Sequence, residues 1–398
     1  MSGKRNRTKR KAEALREQDL VRWKLIEDFQ ARLARAAQAR PKGAVPRTES
    51  DPRRLLAAQD YLSLLLFGLF NPVVESMRGL CAASRLGRVQ REVSSHRVSL
   101  GSFSEAQAVI DPVLLEKVFA ELASEQQQAA ATHPQSEARL GKYHASLTAM
   151  DGTLWRALPR MTWAAWRHQG KPQSALKLHL KFNLLGKIPT QAVLTPGKKC
   201  ERAVLRQHLR AGEFYVADRY YGEDYALFEE LAARGCSYVI RLRQEATWEV
   251  EKEWPLTEAD RAVGVLSDRL VRLGARHQTG PVRLVRIATE KGPLFLLTDK
   301  SAAELSAELI ALIYRYRWQI ELFFKWFKCI LGCRHWLAES PRGVALQIYG
   351  ALIAALLLLR YGGSRPNKRA MEMIRFYLLG YATLDELCAQ LGVEKNKA

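Results

Sequence analysis

The sequence is poor in cysteine and in acidic residues, and both shortages limit what the protein is. Its 398 residues include 6 cysteines, too few and too scattered for a disulfide framework in a chain of this length. We therefore expect a reducing compartment, the cytoplasm. The 41 Asp and Glu residues are outnumbered by 62 Lys and Arg, which gives a formal net charge of +21. A positive surplus of this size favours a polyanionic partner, above all nucleic acid.

A long hydrophobic run is also missing. The basic amino terminus is not followed by the apolar segment that a secretory signal requires. The most apolar stretch, residues 344–359, is shorter than the roughly 20 residues of a spanning helix and contains Gln347. We therefore predict a buried core helix there and no membrane partner.

Composition and periodicity divide the chain into predicted regions. Residues 1–54 are rich in Arg and Ala, which predicts a basic helical arm and linker that either contacts DNA or is simply solvated. Residues 55–125 carry short amphipathic stretches with basic turns, which are typical of a helical DNA-binding domain and also of any small helical bundle. A linker is expected at 126–134, a mixed domain at 140–335, and a helical region at 341–398.

Within the mixed domain, strand-like and helix-like patterns alternate. The predicted order is strands at 144–150, 176–184 and 191–194, a helix at 201–210, a strand at 214–217, a helix at 224–234 and a strand at 238–242. Residues 243–299 mostly follow a period of two between Gly and Pro turns, which predicts a β-rich insertion. A long helix is then expected from 302 to 331. The fold class is therefore α/β: a mixed sheet with a β-rich insertion, flanked by helical regions.

Three acidic residues stand where this pattern would bring them together. Asp151 follows the first predicted strand, Asp218 ends the strand at 214–217, and Glu321 lies in the long helix. Each alone is usually a turn residue or part of a solvated face. Adjacent strands that end in Asp, however, bring two carboxylates close, and such a pair needs a cation to remain ionised. Oxygen ligands suit Mg²⁺ or Mn²⁺, and two such ions support phosphodiester cleavage.

The helix around Glu321 carries a narrow polar stripe. At about 100° per residue, Tyr314, Arg317, Glu321 and Lys328 fall on one face, with an acid between two bases. The alternative is an ordinary salt-bridge face, because Arg317 and Glu321 are four residues apart and pair on any helix.

The spacing of this stripe is Y-x2-R-x3-E-x6-K, and its context, RYRWQIELFFKWFK, resembles DDE transposases of the insertion-sequence-four group. The segments MDGT at 150–153 and YVADRYYG at 215–222 resemble those of the first and second catalytic Asp. Tyr220 departs from the Gly that relatives often have. The resemblance covers 140–335, about half the chain. It implies an RNase H-like fold with a β-rich insertion between the second Asp and the Glu, in agreement with the element order above.

The resemblance also implies roles for individual residues. Asp151, Asp218 and Glu321 would be catalytic and would coordinate two Mg²⁺ ions, with Mn²⁺ able to substitute and no organic cofactor required. The resemblance also implies four groups of DNA contacts. Tyr314, Arg317 and Lys328 would contact phosphates and terminal bases, and Arg241 and Arg243 would contact phosphates. Lys177 and His179 would contact DNA from one strand face, and Trp248 or Trp254 would stack on a displaced base. For the last three groups, solvent exposure or packing is the alternative.

Together these expectations describe a bacterial cut-and-paste DNA transposase. It would bind terminal inverted repeats, cut by metal-assisted hydrolysis, and join 3′ hydroxyls to target DNA. A hairpin intermediate, a homodimer on double-stranded DNA and association with the nucleoid are implied by the resemblance alone. The alternatives are a non-catalytic DNA-binding regulator descended from a transposase, and a metal-dependent DNA nuclease without strand transfer.

Overall fold

A computed structural model of the chain describes residues 29–39, 56–71, 73–74, 76–94, 96–131, 138–158, 160–168, 171–274, 279–329, 336–362 and 365–392. The chain divides into two compact units. The first comprises residues 1–129, 155–174 and 324–398, and the second comprises residues 130–154 and 175–323. Most of the predicted basic arm at 1–54 lies outside the described residues.

The helices and strands are numbered separately in chain order. The helices before the first strand are α1 (Phe29–Gln38), α2 (Ala58–Phe70), α3 (Met77–Ala83), α4 (Gly87–Glu92), α5 (Leu100–Val109) and α6 (Val113–Ala131). The mixed region contains β1 (Leu147–Arg156), β2 (Ala165–His168), β3 (Lys171–Asn183), β4 (Ile188–Pro196), α7 (Glu201–Gln207), β5 (Phe214–Ala217), α8 (Ala226–Ala233) and β6 (Ser237–Leu242). It continues with β7 (Trp248–Trp254), α9 (Glu258–Ala262), β8 (Val265–Leu273), β9 (Val282–Ile287) and β10 (Leu294–Thr298). The chain ends with α10 (Ala307–Tyr316), α11 (Trp318–Cys329), α12 (Pro341–Gly362), α13 (Lys368–Leu379) and α14 (Leu384–Leu391).

The first unit is built around the apolar helix α12, which packs on α2 and α5. At Gly350 a Cβ would lie 3.2 Å from a methyl carbon of Leu65, so the two helices approach closely there. Helix α12 is longer than the predicted apolar run and is long and apolar enough to cross a membrane, yet 89% of its most apolar window is buried inside the protein. That burial is typical of a core helix, as predicted.

Helix α6 continues through residues 126–131, where a linker was predicted. Gln and Ala have high helix propensity, so they extend a helix that has already begun. The side chain of Arg32 on α1 binds Glu121 and Glu125 on α6, with its Nη1 3.1 Å and 2.7 Å from their carboxylate oxygens.

The second unit contains one mixed sheet with strand order β4-β3-β1-β5-β6-β10-β9-β8-β7. Strands β1, β5 and β6 are parallel to one another, and β6, β10, β9, β8 and β7 pair in antiparallel fashion. The segment at 243–299, predicted to be β-rich, supplies β7 to β10 and extends this same sheet. Strand β2 pairs with the first residues of β3 within the first unit.

Helices cover both faces of the sheet in the second unit. On one face, Leu205 of α7 and Leu227 of α8 pack in a buried cluster with Tyr215 of β5. Neighbouring residues of a strand point to opposite faces. Lys181 lies over the Tyr215 ring, so Phe182 points to the other face, where its ring contacts Phe323 of α11 at 5.3 Å between centroids.

Two predicted boundaries were wrong in ways that affect the site. Strand β1 does not end before Asp151 but continues to Arg156, because Thr153 and Trp155 favour extended backbone. The long helix predicted over 302–331 is two helices: Ser306 caps the start of α10, and a break of one residue at Arg317 separates α10 from α11. Around that break, Arg317 N donates to Tyr314 O at 3.1 Å and Ile320 N donates to Arg317 O at 3.2 Å. These bonds span three residues and tighten the backbone.

Candidate active site

Asp151 and Asp218 occupy equivalent positions on neighbouring parallel strands. Ala149 of β1 is paired in register with Val216 of β5. Asp151 lies two residues further along β1, and Asp218, also two residues further, directly follows the end of β5. Because side chains along a strand alternate with a period of two, both carboxylates point to the same face of the sheet as Ala149 and Val216. Asp151 Oδ1 accepts a hydrogen bond from Gly152 N at 2.7 Å, and Asp218 Oδ1 accepts one from Tyr220 N at 2.9 Å. The register thus brings together the two Asp residues that the sequence singled out.

Negative charge accumulates around Asp151. The pKa of Asp151 is raised to about 7, mainly by burial and also by the carboxylates of Glu201 and Asp218. The Gly152 N–H and the Arg317 guanidinium act in the opposite direction. A buried carboxyl among other carboxylates holds its proton near neutral pH unless a cation compensates its charge.

Arg317 connects the helix break to the acidic residues. Its Nη2 donates to Glu321 Oε1 at 2.5 Å, and its guanidinium carbon lies 5.6 Å from the centre of the Tyr314 ring. Its Nε is buried and has no hydrogen-bond partner among the described residues. Three of the four residues of the predicted stripe therefore meet, and Arg317 retains a donor suited to an anionic ligand.

Among the described residues, no three His, Cys, Asp or Glu side chains stand close enough together to hold a metal ion. Glu321 is engaged by Arg317, so a shared ion would require that pair to open. The chemistry of the donors nevertheless fits a divalent cation. Asp151, Asp218 and Glu321 offer hard oxygen atoms, and the excess negative charge at Asp151 is of the kind that such a cation neutralises.

Lys177 and His179 do not present the charged strand face that was considered. Lys177 Nζ lies 3.1 Å from Glu201 Oε1. His179 is 1% exposed, and its Nε2 lies 2.9 Å from Thr195 Oγ1 on β4. The prediction that His179 contacts DNA disagrees with this burial. Strand periodicity predicts which residues share a face of the sheet, but it does not predict whether other side chains bury that face.

The remaining predicted DNA contacts of the second unit lie at the end of β6 and on β7. Arg241 is half-buried, and its charge acts on the hydroxyl of Tyr314. Arg243 is exposed and forms an ion pair with Glu223. Trp248 packs on the Phe295 ring at 5.3 Å between centroids. Two cations lie near the Trp254 ring: Lys252 Nζ is 5.3 Å and the Arg283 guanidinium is 5.8 Å from the ring centre.

Lys328, the last residue of the stripe, belongs to the first unit. Its ammonium nitrogen lies 4.4 Å from the centre of the Trp155 ring. This is a cation–π contact, which positions the amine beside an aromatic face.

Sequence patterns missed two residues near Asp151. Glu201 begins α7, and a Cβ on Gly152 would lie 2.7 Å from its Oε1, so the glycine makes room for this carboxylate. Tyr221 is fully buried with no hydrogen-bond partner for its hydroxyl among the described residues. Burial, and then the charges of Glu201, Asp151 and Asp218, raise the pKa of Tyr221 well above its usual value. The Asp-Gly dipeptide was a visible signal for a close approach, but it did not identify the partner.

Comparison with known proteins gives a consistent family match. The family model described as a transposase DDE domain matches residues 142–357. The putative transposase y4zB of Sinorhizobium fredii is 26% identical over 239 residues, which are 58% of this chain and 65% of that protein. The probable transposase for insertion sequence element IS5377 of Geobacillus stearothermophilus is 26% identical over 202 residues, 50% of this chain and 52% of that protein. The chain thus spans between half and two thirds of the length of these curated relatives.

Among solved structures, a piggyBac transposase in a synaptic complex with hairpin DNA aligns with 95% of this chain and 85% of its own. The TM-score is 0.40 and the sequence identity is 12%.

Proposed function

Because this chain belongs to the transposase DDE domain family, we propose that it is the DNA transposase of an insertion sequence and that Asp151, Asp218 and Glu321 form its catalytic triad. The observation that carries this proposal is the register of β1 and β5, which sets Asp151 and Asp218 at equivalent positions on adjacent strands. The Tyr314, Arg317, Glu321 and Lys328 spacing supports assignment to the insertion-sequence-four group.

The proposed catalytic core is RNase H-like. Its support is the element order β1, β3, β4, α7, β5, α8, β6, which is the β-β-β-α-β-α-β order expected of that fold, with the short strand β2 of the first unit as an addition between β1 and β3. The β-rich segment between Asp218 and Glu321 occupies the place of the expected insertion.

In the proposed mechanism, Asp151, Asp218 and Glu321 would hold two Mg²⁺ ions, which Mn²⁺ could replace. When bound, such ions activate a water or a 3′ hydroxyl and stabilise the leaving oxygen of a phosphodiester. Arg317 would leave its pair with Glu321 and use its buried donors on a DNA phosphate, for which a guanidinium fork is well suited. Tyr314 beside it would orient that guanidinium or stack on a terminal base.

We extend the proposal to the whole reaction cycle. The protein would bind terminal inverted repeats, act as a homodimer in the cytoplasm at the nucleoid, pass through a hairpin intermediate and join the freed 3′ ends to target DNA. Its support is the +21 net charge, which favours a polyanion, and the family itself. Arg241 and Lys328 would add phosphate contacts.

The test is cleavage and joining of a supercoiled plasmid that carries the gene with its native flanks, in Mg²⁺ or Mn²⁺. We expect defined cuts at the ends and joined products with the wild type, and at least a hundredfold loss with Glu321→Gln, because the neutral amide is a poor ligand for a hard cation. Glu229→Gln is the matched control, since Glu229 is an exposed residue of the same unit. Equal cleavage by wild type and Glu321→Gln would contradict the proposal.

A further inference from the structure

Glu201 lies directly beside the strand that carries Asp151. A Cβ on Gly152, the residue after Asp151, would lie 2.7 Å from Glu201 Oε1 and 3.2 Å from Lys177 Cδ. Any larger residue at this position would displace the Glu201 carboxylate, so the glycine allows a close approach. A carboxylate outside the proposed triad therefore stands next to Asp151.

Lys177 holds the Glu201 carboxylate in this place. Its Nζ lies 3.1 Å from Glu201 Oε1 and donates to Lys199 O at 3.3 Å. The side chains of Lys177 and Glu201 are 14% and 19% exposed, so the ion pair is mostly shielded from water. Glu201 thus occupies a fixed position beside the backbone of β1.

The negative charge around Asp151 is only partly compensated. The carboxylates of Glu201 and Asp218 both act on Asp151, and the opposing guanidinium of Arg317 is itself bound to Glu321. Carboxylates at close range repel one another, and a cation between them relieves that repulsion. The charge of Glu201 therefore adds to the attraction that this site exerts on a divalent cation.

The Tyr221 side chain is an independent sign that these carboxylates lack a ligand. It is 1% exposed, and its hydroxyl has no hydrogen-bond partner among the described residues. The charges of Glu201, Asp151 and Asp218 all act on that hydroxyl. Buried hydroxyl groups nearly always have a partner, because an unsatisfied one loses its hydration without compensation. A neutral donor near three carboxylates suits a site in which a bound cation rearranges them.

The turn that carries Tyr221 is fixed to Asp218 and to the end of β6. Tyr221 N donates to Asp218 O at 3.2 Å. At Gly222, a Cβ would overlap the carbonyl oxygen of Arg241, so only glycine allows the turn to pack on the strand in this way. Because the turn is held from both sides, the Tyr221 hydroxyl stays close to the carboxylates.

Glu201 is placed to act on a cation through its charge and not as a direct ligand. Within the described ranges, no three His, Cys, Asp or Glu side chains stand close enough together to hold a metal ion. Lys177 already binds one oxygen of Glu201. Groups that surround the ligands of a metal orient those ligands, and their removal typically lowers metal affinity about 10–100-fold.

We infer that Glu201 and Tyr221 are positioning residues of the proposed cation site. The Glu201 charge strengthens binding of the cation, and the Tyr221 hydroxyl donates a hydrogen bond to a carboxylate that the bound cation draws towards it. This inference rests on the proposed function and deepens it, because it names two residues outside the triad that set the affinity for cations.

Iron-mediated cleavage of the protein backbone measures cation binding at this place independently of DNA cleavage. Fe²⁺ follows Mn²⁺ in the affinity series of the first-row metals, and with ascorbate and peroxide it cuts peptide bonds near its binding site. The full-length protein is saturated with a duplex from the flank of the gene and titrated with Fe²⁺. Mass spectrometry counts the fragments that end near Asp151 and Asp218, and the half-maximal Fe²⁺ concentration gives the affinity.

We expect Glu201→Gln to raise the half-maximal Fe²⁺ concentration about tenfold or more, and Tyr221→Phe to raise it about fivefold, the effect of one hydrogen bond. The matched controls are Glu229→Gln, at an exposed residue of α8, and Tyr143→Phe, which removes a hydroxyl that donates to Glu304 O. Neither control should change the concentration. A variant at Glu201 or Tyr221 that behaves like its control would overturn the inference for that residue.

Lys177→Met separates the charge of Glu201 from a purely structural role. If Glu201 served only to brace Lys177, both Glu201→Gln and Lys177→Met would break the same ion pair and weaken cation binding alike. Under the inference, Lys177→Met leaves the Glu201 charge uncompensated, and the half-maximal Fe²⁺ concentration should fall below that of the wild type. Weaker binding in both variants would overturn the role of the Glu201 charge.

The plasmid assay separates this inference from the proposed function. Plasmid cutting that is lost in Glu321→Gln, combined with unchanged Fe²⁺ affinity in Glu201→Gln and Tyr221→Phe, refutes the inference alone. Plasmid cutting without any Fe²⁺ cleavage near Asp151 and Asp218 also refutes the inference alone. A wild type that neither cuts the plasmid nor shows that backbone cleavage refutes both proposals.

Discussion

At the scale of single residues, burial decides which polar groups of this protein are reactive and which are structural. Asp151 and His179 lie on neighbouring strands, and burial is the largest cause that displaces the pKa of each. Asp151 is held close to protonation near neutral pH by burial and by adjacent carboxylates, a condition that a bound cation would reverse. His179 is held neutral by burial and by the charge of Lys177, and none of the main contributions to its pKa from the described residues favours the protonated form. The first arrangement suits a ligand site, and the second suits a core.

The state of His179 predicts a dependence of stability on pH. Its pKa falls from an ordinary 6.5 to about 4 in the folded protein. Between these values the unfolded chain binds a proton that the folded chain does not, so stability is fully present above pH 6.5 and declines as the pH falls towards 4. Linkage limits the loss from this one residue to about 3 kcal/mol.

The check is urea unfolding at pH 7.5, 5.5 and 4.5. We expect His179→Gln, which can retain a hydrogen bond to Thr195, to show a weaker decline in the free energy of unfolding than the wild type. The control is His96→Gln, which replaces an exposed histidine away from Thr195. An identical pH slope in wild type and His179→Gln would contradict the assignment.

At the scale of elements, a buried ion pair ties the β-rich segment to the start of α10. Arg283 of β9 donates from Nε and Nη2 to the two carboxylate oxygens of Asp268 of β8, at 2.8 Å and 2.7 Å. Its Nη1 also donates to the carbonyls of Lys300 and Ser301, at 3.2 Å and 3.0 Å. The loop after β10 leads into the helix that carries Tyr314. Arg283 therefore helps to set the position of the predicted DNA-contacting residues.

Removal of Arg283 should leave the Asp268 carboxylate buried without a cation. We expect Arg283→Met to lower the free energy of unfolding by about 3–5 kcal/mol, and the double variant Arg283→Met, Asp268→Leu to recover a large part of that loss. Urea denaturation of the single and double variants provides the measurement. A double variant as unstable as Arg283→Met would show that lost packing, and not an unpaired charge, causes the effect.

Local pattern predicted much of this architecture, and the failures have physical causes. The strand that ends at Ala217 was predicted at its observed bounds, because Phe214 to Ala217 form a short apolar run between turn residues. The break at Arg317 was not predicted, because residues 314–321 contain no Gly or Pro and Arg317 itself keeps helical backbone angles. Glu201 was missed because its closeness to Gly152 depends on where α7 packs against β1, which no local spacing encodes.

At the scale of the whole molecule, the excess of basic residues and the acidic site are complementary features. A chain with 62 Lys and Arg attracts DNA without regard to sequence, while Asp151 and Asp218 create a local point of negative charge that a phosphate alone would avoid. Divalent cations reconcile the two, since they bridge carboxylates and phosphates. We therefore propose that these carboxylates bind metal for DNA cleavage.

Replacement of one oxygen ligand by sulfur tests that claim most directly. Mg²⁺ binds through oxygen, whereas Mn²⁺ belongs to the transition series and accepts thiolate more readily. Plasmid cleavage by Asp218→Cys should fall at least a hundredfold in Mg²⁺ and recover at least tenfold in Mn²⁺, while Glu321→Gln stays inactive in both. Equal activity of Asp218→Cys in the two metals, whether full or absent, would contradict direct coordination by Asp218.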